Sequence, residues 1–381
     1  MEPQDRLPVQ RDMFDIPDEI AYFNTANLAP HLHRVRAAGE AALERRGRPW
    51  TIASEDWFSD VERLRSLFGR LIGGDADGVA LIPATSYGFA VAARRASLSP
   101  GQRILVLAEE YPSGVYTWRT AARHSGAEIL TVTRRLDEDW TDAVLGAMDE
   151  TVAVVSVPNV HWTDGALIDL TRIAEAAHKL SALLVIDASQ SLGAMPIDVE
   201  DLRPDFVISV GYKWLLGPFG RGYLWMSESH RDAEPLEENW IARADSEDFA
   251  RLVDYRDEYQ PGARRFDVGQ RTSFEITPMA VAALEQIDEW GVARIAHFLK
   301  AVTTQVARGL DGMDFAPLPE PMRGPHILGV DIPESKRHAV IPALADANCY
   351  AALRGSSLRI APHLHTTTDD IDRLLSVLAT I

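Results

Sequence analysis

The sequence predicts an α/β protein: a large unit with a mostly parallel sheet between helices, then a smaller α+β unit at the C-terminal end. Three observations predict it. Apolar runs such as Val152-Ala-Val-Val-Ser-Val-Pro158, Leu183-Leu-Val-Ile-Asp187 and Asp205-Phe-Val-Ile-Ser-Val210 lack polar alternation, which marks parallel strands covered on both faces. Segments of helical length and pattern separate these runs. Near residue 262 the pattern changes to helices, Pro-rich punctuation and shorter strands. At 381 residues the chain exceeds one ordinary core, so two domains are expected.

The first twenty residues are polar and Pro-punctuated, and read as an arm (1–20) that packs on the small domain. The large domain is assigned to 21–261. It opens with a short strand at Ala21-Tyr-Phe-Asn and a loop from Thr25 to Pro30, followed by helices over 32–48 and 55–72. Val79-Ala-Leu-Ile-Pro83 is a buried strand, and a helix runs from Thr85 to about Ala96. Strands and helices then alternate: strand from Arg103, helix 113–125, strand from Glu128, helix 139–148, strand from Val152, helix 169–180, strands from Leu183 and Asp205. Gly222-Tyr-Leu-Trp-Met is a further strand, and a polar stretch from Ser227 to Pro261 closes the domain. The small domain is assigned to 262–381, with helices at 278–290 and 293–309, Pro-rich punctuation at 317–325, and strands at 326–332 and 358–361.

The bulk composition excludes several classes. A formal charge of −18 repels nucleic acid and anionic membrane surfaces. No apolar run approaches the roughly 20 residues of a membrane span. The N-terminus Met-Glu-Pro-Gln-Asp-Arg lacks the basic and apolar regions of a signal peptide. The single Cys349 permits no internal disulfide and suits a reducing cytoplasm.

Lys213 is the most informative residue. The chain has four lysines against thirty-four arginines, so a cation alone is normally written Arg. A Lys between an apolar strand and Leu216-Gly-Pro218 points to chemistry that a guanidinium cannot do, such as Schiff-base formation. The plain alternative is a strand-end Lys with its head in water. Other polar residues fall at strand ends, where open parallel sheets bind ligands: Asp187, Gln190, Asn159, Thr85, Ser86 and Tyr111. Each alone has an ordinary reading as a cap, turn or packing residue. Pyridoxal phosphate would use all of them. Lys213 supplies the amine, and Asp187 keeps the ring nitrogen protonated. Gln190 and Asn159 suit the phenolic oxygen. Tyr111 can stack on the ring, and Thr85 and Ser86 head a helix that can bind the phosphate. No Gly-x-Gly-x-x-Gly follows the first strand, which argues against a nicotinamide enzyme.

The order of these motifs resembles the class V aminotransferase family of fold-type I pyridoxal-phosphate enzymes. That family includes cysteine desulfurases, kynureninases and isopenicillin N epimerase-like proteins. The resemblance rests on Tyr22-Phe-Asn-Thr-Ala-Asn27, Ala84-Thr-Ser, Glu110-Tyr-Pro-Ser, Val157-Pro-Asn, Val185-Ile-Asp-Ala-Ser-Gln190, Gly211-Tyr-Lys-Trp-Leu-Leu-Gly-Pro, Arg265-Phe-Asp-Val-Gly and Leu353-Arg-Gly-Ser-Ser-Leu-Arg-Ile-Ala-Pro-His363. It implies that Lys213 is the Schiff-base lysine and proton carrier, that Asp187 pairs with the pyridinium, and that Thr85, Ser209 and Tyr212 hold the phosphate. Ser209 lies four residues before the lysine, whereas relatives often carry it three before. The segment at Gly269 and Gln270 resembles the one that reaches a neighbouring subunit's phosphate, which implies a homodimer with shared sites. Arg359 matches the arginine for the substrate carboxylate, and Asn27 falls on the substrate side.

Reaction type is less determined. A cysteine desulfurase needs a thiol on the loop before Arg359. Here that loop is Arg354-Gly-Ser-Ser-Leu, and Cys349 reads as a buried apolar residue, so a typical desulfurase is disfavoured. Transamination to a 2-oxo acid, epimerisation, and a kynureninase-like or selenocysteine lyase-like reaction remain. The working expectation is an aminotransferase. His161 as a proton relay and Trp162 as a pocket wall are substrate-side candidates, each with a plain packing alternative. Tyr87, Arg264, Arg271 and His363 are further candidates. A non-catalytic, cofactor-binding member is the alternative from outside enzymology.

Overall fold

A computed structural model of the chain describes residues 7–135 and 138–381. The elements, in chain order, are β1 (Ala21–Tyr22), α1 (His33–Arg46), α2 (Ser59–Leu71), β2 (Val79–Ile82), α3 (Thr85–Arg95), β3 (Arg103–Leu107), α4 (Pro112–Ser125), β4 (Glu128–Val132), α5 (Trp140–Ala147), β5 (Val152–Pro158), α6 (Leu170–Leu180), β6 (Leu183–Asp187), α7 (Val199–Leu202), β7 (Phe206–Val210) and β8 (Gly222–Met226). After a stretch of short turns come α8 (Thr277–Trp290), α9 (Val292–Gly309), β9 (Ala316–Pro317), β10 (Leu328–Asp331), α10 (Arg337–Asp346), β11 (Cys349–Tyr350), β12 (Ala352–Arg354), β13 (Ser357–Ile360) and α11 (Thr368–Leu378).

The central sheet has the order β2-β8-β7-β6-β5-β3-β4. β3 to β7 pair in parallel, while β8 runs antiparallel to both β7 and β2. This is the α/β architecture expected, with helices on both faces. Successive side chains of a strand alternate between faces, and the apolar residues divide accordingly. Leu105, Val155, Leu184, Ile186 and Val207 meet the helices α2, α5, α6 and α8 in one cluster. Ile104, Val106, Val154, Val185, Phe206 and Ile208 meet α3 and α4 in another. The helix starts follow local rules. Asp169 caps α6 by accepting from the backbone N–H groups of Thr171 and Arg172, a contact that typically contributes about 1 kcal/mol.

A second sheet, β12-β13-β10-β9, is antiparallel and encloses its own core with α10, α11 and the later half of α9. The short strand β1 pairs in parallel with β11, so residues 21–22 join this C-terminal unit rather than the central sheet. Earlier in the chain, Arg11 reaches Asp370 at 3.1 Å, and the Gln10 N–H donates to the Leu364 carbonyl at 2.7 Å. Residues 1–6 of the expected arm lie outside the described residues.

Packing at the other boundary also differs from the sequence assignment. Phe266 and Ala263 belong to the α3–α4 core, and α8 shares the opposite core with α1 and α2. The segment 262–290 is therefore built into the large unit. The apolar core changes along α9, where Ile295 and Leu299 face the first core and Val302 and Val306 the last. A helix that is apolar on one stripe gives no sign in the sequence of which neighbour covers that stripe.

Candidate active site

Open parallel sheets bind ligands at the carboxyl ends of their strands, and the pocket of this sheet lies there. Pro158, Asp187 and Val210 end β5, β6 and β7 on the face shared with α3 and α4. Pro158 and Asp187 are direct partners in the ladder. With Thr85, Glu110, Tyr111, Trp162, Ser189, Gln190, Tyr212 and Lys213 they line one small pocket. Thr85 sits at the first turn of α3, whose leading N–H groups have no partner within the helix. Tyr111 immediately precedes α4.

Lys213 is buried, 9% exposed, and its Nζ lies 5.6 Å from the Tyr111 ring centre and 5.9 Å from that of Tyr212. Burial pushes its ammonium down to about 8; Asp187 opposes the shift, and Arg359 and Arg354 add to it. Burial raises the Asp187 carboxyl above its usual range, opposed by Ser189 and Lys213. One Asp187 oxygen accepts the Ser189 N–H at 2.9 Å. Gln190 is held in place: its amide oxygen accepts from Trp214 Nε1 at 2.9 Å, and its nitrogen donates to the Ala26 carbonyl at 3.0 Å.

Arg359, on β13, is 1% exposed. One of its terminal nitrogens donates to the Trp162 carbonyl at 2.6 Å, while Nε is buried without a partner. Burial and then Arg354 push the guanidinium down to about 9, against the pull of Tyr22. Among the described residues no carboxylate forms an ion pair with it. A buried, uncompensated guanidinium is costly, and a bound carboxylate would satisfy it bidentately.

Several residues expected at the site lie elsewhere. Ser209 is buried on the face opposite Val210, its hydroxyl 3.4 Å from the Val210 carbonyl. Strand parity places Val210, an apolar residue, where the phosphate-side hydroxyl was expected. Asn159 follows Pro158, but its amide nitrogen donates to the Ile168 carbonyl at 3.2 Å, and it borders a different cleft with Leu167 and Met195. Ser86 and Asn27 are exposed and do not line the pocket, although the Asn27 loop touches it through the Ala26 carbonyl on Gln190. Both nitrogens of His161 are engaged, with Thr163 Oγ1 at 2.7 Å and the Ala108 carbonyl at 3.1 Å, and its ring stacks on Trp140. It is a buried structural histidine with no ring nitrogen left for proton relay. Gly269 donates its N–H to Glu237 and Gln270 is exposed; neither lines the pocket of its own chain. Arg264 pairs with Glu62 and Asp77, and Arg271 with buried Asp267, so both are structural cations. Tyr87 packs beside the α3–α4 core, and His363 is enclosed by Phe14, Trp214 and Trp290.

Glu110, Ser189, Val210 and Arg354 were not singled out in the sequence, although the quoted motifs contain the first two and the last. Burial pushes Glu110 up to about 8; the Tyr111 N–H opposes this, and Asp187 adds to it. Its other carboxyl oxygen is buried without a partner. The signal that was available is a pair of carboxylates, Glu109 and Glu110, two and three residues after β3.

The donor set fits pyridoxal phosphate. An amine and a buried carboxylate line the same pocket, an aromatic ring borders the amine, and the first residue of a helix, Thr85, lines it too. Ser189 Oγ is a buried hydroxyl without a partner. Residues 47–374 match the family model described as aminotransferase class-V. The chain is 31% identical over 282 residues to a kynureninase of Deinococcus radiodurans, covering 71% of this chain and 66% of that protein, just under two-thirds of its length. It is 26% identical over 337 residues to the uncharacterized aminotransferase YcbU of Bacillus subtilis, covering 88% and 86%. A probable cysteine desulfurase of Methanothermobacter thermautotrophicus is 24% identical over 339 residues, 82% of each chain. In fold, the chain matches the apo cysteine desulfurase of Thermococcus onnurineus with a TM-score of 0.83 at 18% identity, covering 100% and 98%. It matches the cystine C–S lyase C-DES in complex with cysteine persulfide with a TM-score of 0.85 at 16% identity, covering 95% and 98%.

Proposed function

This chain belongs to the class-V aminotransferase family and uses pyridoxal phosphate, and from that premise we propose that it is a lyase that breaks a bond in the side chain of an amino acid. The carrying observation is that Lys213 and Asp187 line one pocket and the uncompensated Arg359 is bonded to the carbonyl of Trp162 in its wall, in a chain whose relatives include several kynureninases. The sequence alone favoured transamination; these relatives favour the lyase instead. Pyridoxal phosphate supplies an electron sink that weakens bonds around an amino acid's α-carbon.

The residues have distinct tasks in this reading. Lys213, already biased toward its neutral amine, binds the aldehyde and afterwards moves protons at Nζ. Asp187 holds a proton on the pyridine nitrogen. Tyr111 packs on the ring, and the Thr85 turn binds the phosphate. Arg359 fixes the substrate carboxylate and thereby the orientation of the bond to be broken. Gly269 and Gln270 are assigned to the site of a second copy, which makes the working unit a homodimer. Cys349 is buried in β11, away from the loop before Arg359. A persulfide mechanism on that thiol is thereby disfavoured. The same lone buried thiol supports a cytoplasmic location.

Transamination remains the second reading, because the sequence match reported above that covers the largest share of this chain, 88%, carries that name. One experiment separates the two. Holoenzyme is mixed with single amino acids, and both products and the cofactor's visible band are followed. A lyase releases a side-chain fragment and keeps the band. Loss of the band, restored by a 2-oxo acid, with the intact carbon skeleton recovered, would overturn the lyase reading.

A further inference from the structure

The β12–β13 hairpin has two unlike faces. Its register pairs Ala352 with Arg359, Leu353 with Leu358 and Arg354 with Ser357. Side chains alternate along each strand, so Leu353, Leu358 and Ile360 share the face that packs into the C-terminal core. Arg354, Ser357 and Arg359 share the other. Arg354 and Arg359 lie on a diagonal of the ladder, where residues stand about 7–8 Å apart.

That second face carries two guanidiniums and a hydroxyl, with no carboxylate paired to either cation among the described residues. Arg359 Nε and Ser357 Oγ are both buried without hydrogen-bond partners. Arg354 is half-buried and donates to its neighbour's carbonyl, Leu353, at 2.9 Å. Its guanidinium carbon lies 5.9 Å from the Trp162 ring centre, and Trp162 lines the Lys213 pocket. Arg359 donates to the carbonyl of the same Trp162 at 2.6 Å. The two cations therefore border one wall of the pocket, and Arg354 opposes the charging of both Lys213 and Arg359. A substrate with a single carboxylate satisfies one guanidinium and leaves the other uncompensated beside it.

We propose that Arg354 binds a second anionic group on the substrate's side chain, so that the enzyme acts on acidic amino acids. This rests on the reading of Arg359 as the α-carboxylate site. Ser357 stands opposite Arg354 on the same hairpin face, and its buried Oγ has no partner. The spacing suits a side-chain oxyanion a few bonds from the α-carbon. Recognition by two arginines at fixed separation also selects against neutral side chains of the same length, because they would strand a desolvated cation.

The test needs no turnover. Holoenzyme is titrated calorimetrically with succinate and glutarate, and with butyrate and valerate as chain-matched monoacids. The diacids are expected to bind about 10- to 100-fold tighter, the usual worth of a charge-assisted pair. Arg354→Met should remove that advantage and leave the monoacids unchanged. Arg354→Lys should keep part of it, and serves as the readout if the Met variant loses cofactor. Equal affinity for both acid classes, or an Arg354 variant that alters both alike or neither, overturns the proposal. Arg359→Met should weaken all four acids; if it weakens none, the α-carboxylate assignment fails independently of Arg354.

Discussion

The amine of Lys213 is poised by its surroundings, and the size of that effect is measurable. Burial lowers its titration to about 8 from an ordinary 10.5. The difference, 10.5 − 8, is about 2.5 units. At pH 7 the neutral fraction is then about one in ten, against about one in three thousand for an exposed lysine. The assay is reductive trapping of a small neutral aldehyde on the apoprotein, followed by peptide mass spectrometry, with the other three lysines as internal references. Labelling of Lys213 should rise with an inflection near pH 8. Asp187→Asn removes the anion that favours the ammonium, so the inflection should move lower. Arg359→Met removes a neighbouring cation, so it should move higher. The shift also has a cost. The folded state binds fewer protons than the unfolded chain between about pH 8 and 10.5, so apoprotein stability should rise with pH across that window, by about 3 kcal/mol from this group. Lys213→Met should therefore stabilise the apoprotein at neutral pH. An inflection near 10.5 in the wild type and both variants would refute the reasoning.

Other outcomes follow from the same geometry. Arg359→Met should raise the apparent substrate constant about 10- to 100-fold, the loss of a charge-assisted pair, while bound cofactor stays at the wild-type level; equal loss of both would assign Arg359 to folding. Cys349→Ala should retain turnover, since burial pushes that thiol up to about 12 and no other cysteine exists; an inactive but folded variant would restore the thiol mechanism. His326 and His363 are pushed down to about 4 and about 3 by burial. Both are neutral when folded and titrate near 6.5 when unfolded, so stability present above pH 6.5 should be lost progressively as pH falls toward 4. Melting curves of wild type and His363→Phe across that range check this, and an unchanged slope in the variant would count against it.

The parallel sheet was legible because buried parallel strands must be continuously apolar. Lys213 stood out because this chain otherwise writes its cations as arginine, and Asp187 because a carboxylate closed an apolar run. What failed depended on contacts and facing that the linear pattern does not name. His161 looked available until the Ala108 carbonyl and Thr163 took its two nitrogens. Ser209 missed the pocket by one residue of strand parity, a slip that reverses which face a side chain occupies. Arg354 sat inside a quoted motif, yet its relation to Arg359 became visible only with the hairpin register. The domain boundary was misplaced because an amphipathic helix such as α8 does not name the helices that cover it.

The pairing of β1 with β11 has a mechanical consequence. The Ala21 and Phe23 N–H groups donate to the Asn348 and Tyr350 carbonyls, and Phe23 and Thr25 are tied to Ala361. A few residues on, the Ala29 N–H donates to the Tyr212 carbonyl, beside the lysine. This short tether ends on Gln190 and Tyr212, which bond to the Ala26 carbonyl and the Ala29 N–H. The segment is thus a tie-rod between the arginine-bearing wall and the Tyr212 loop, a link separate from the one through α9.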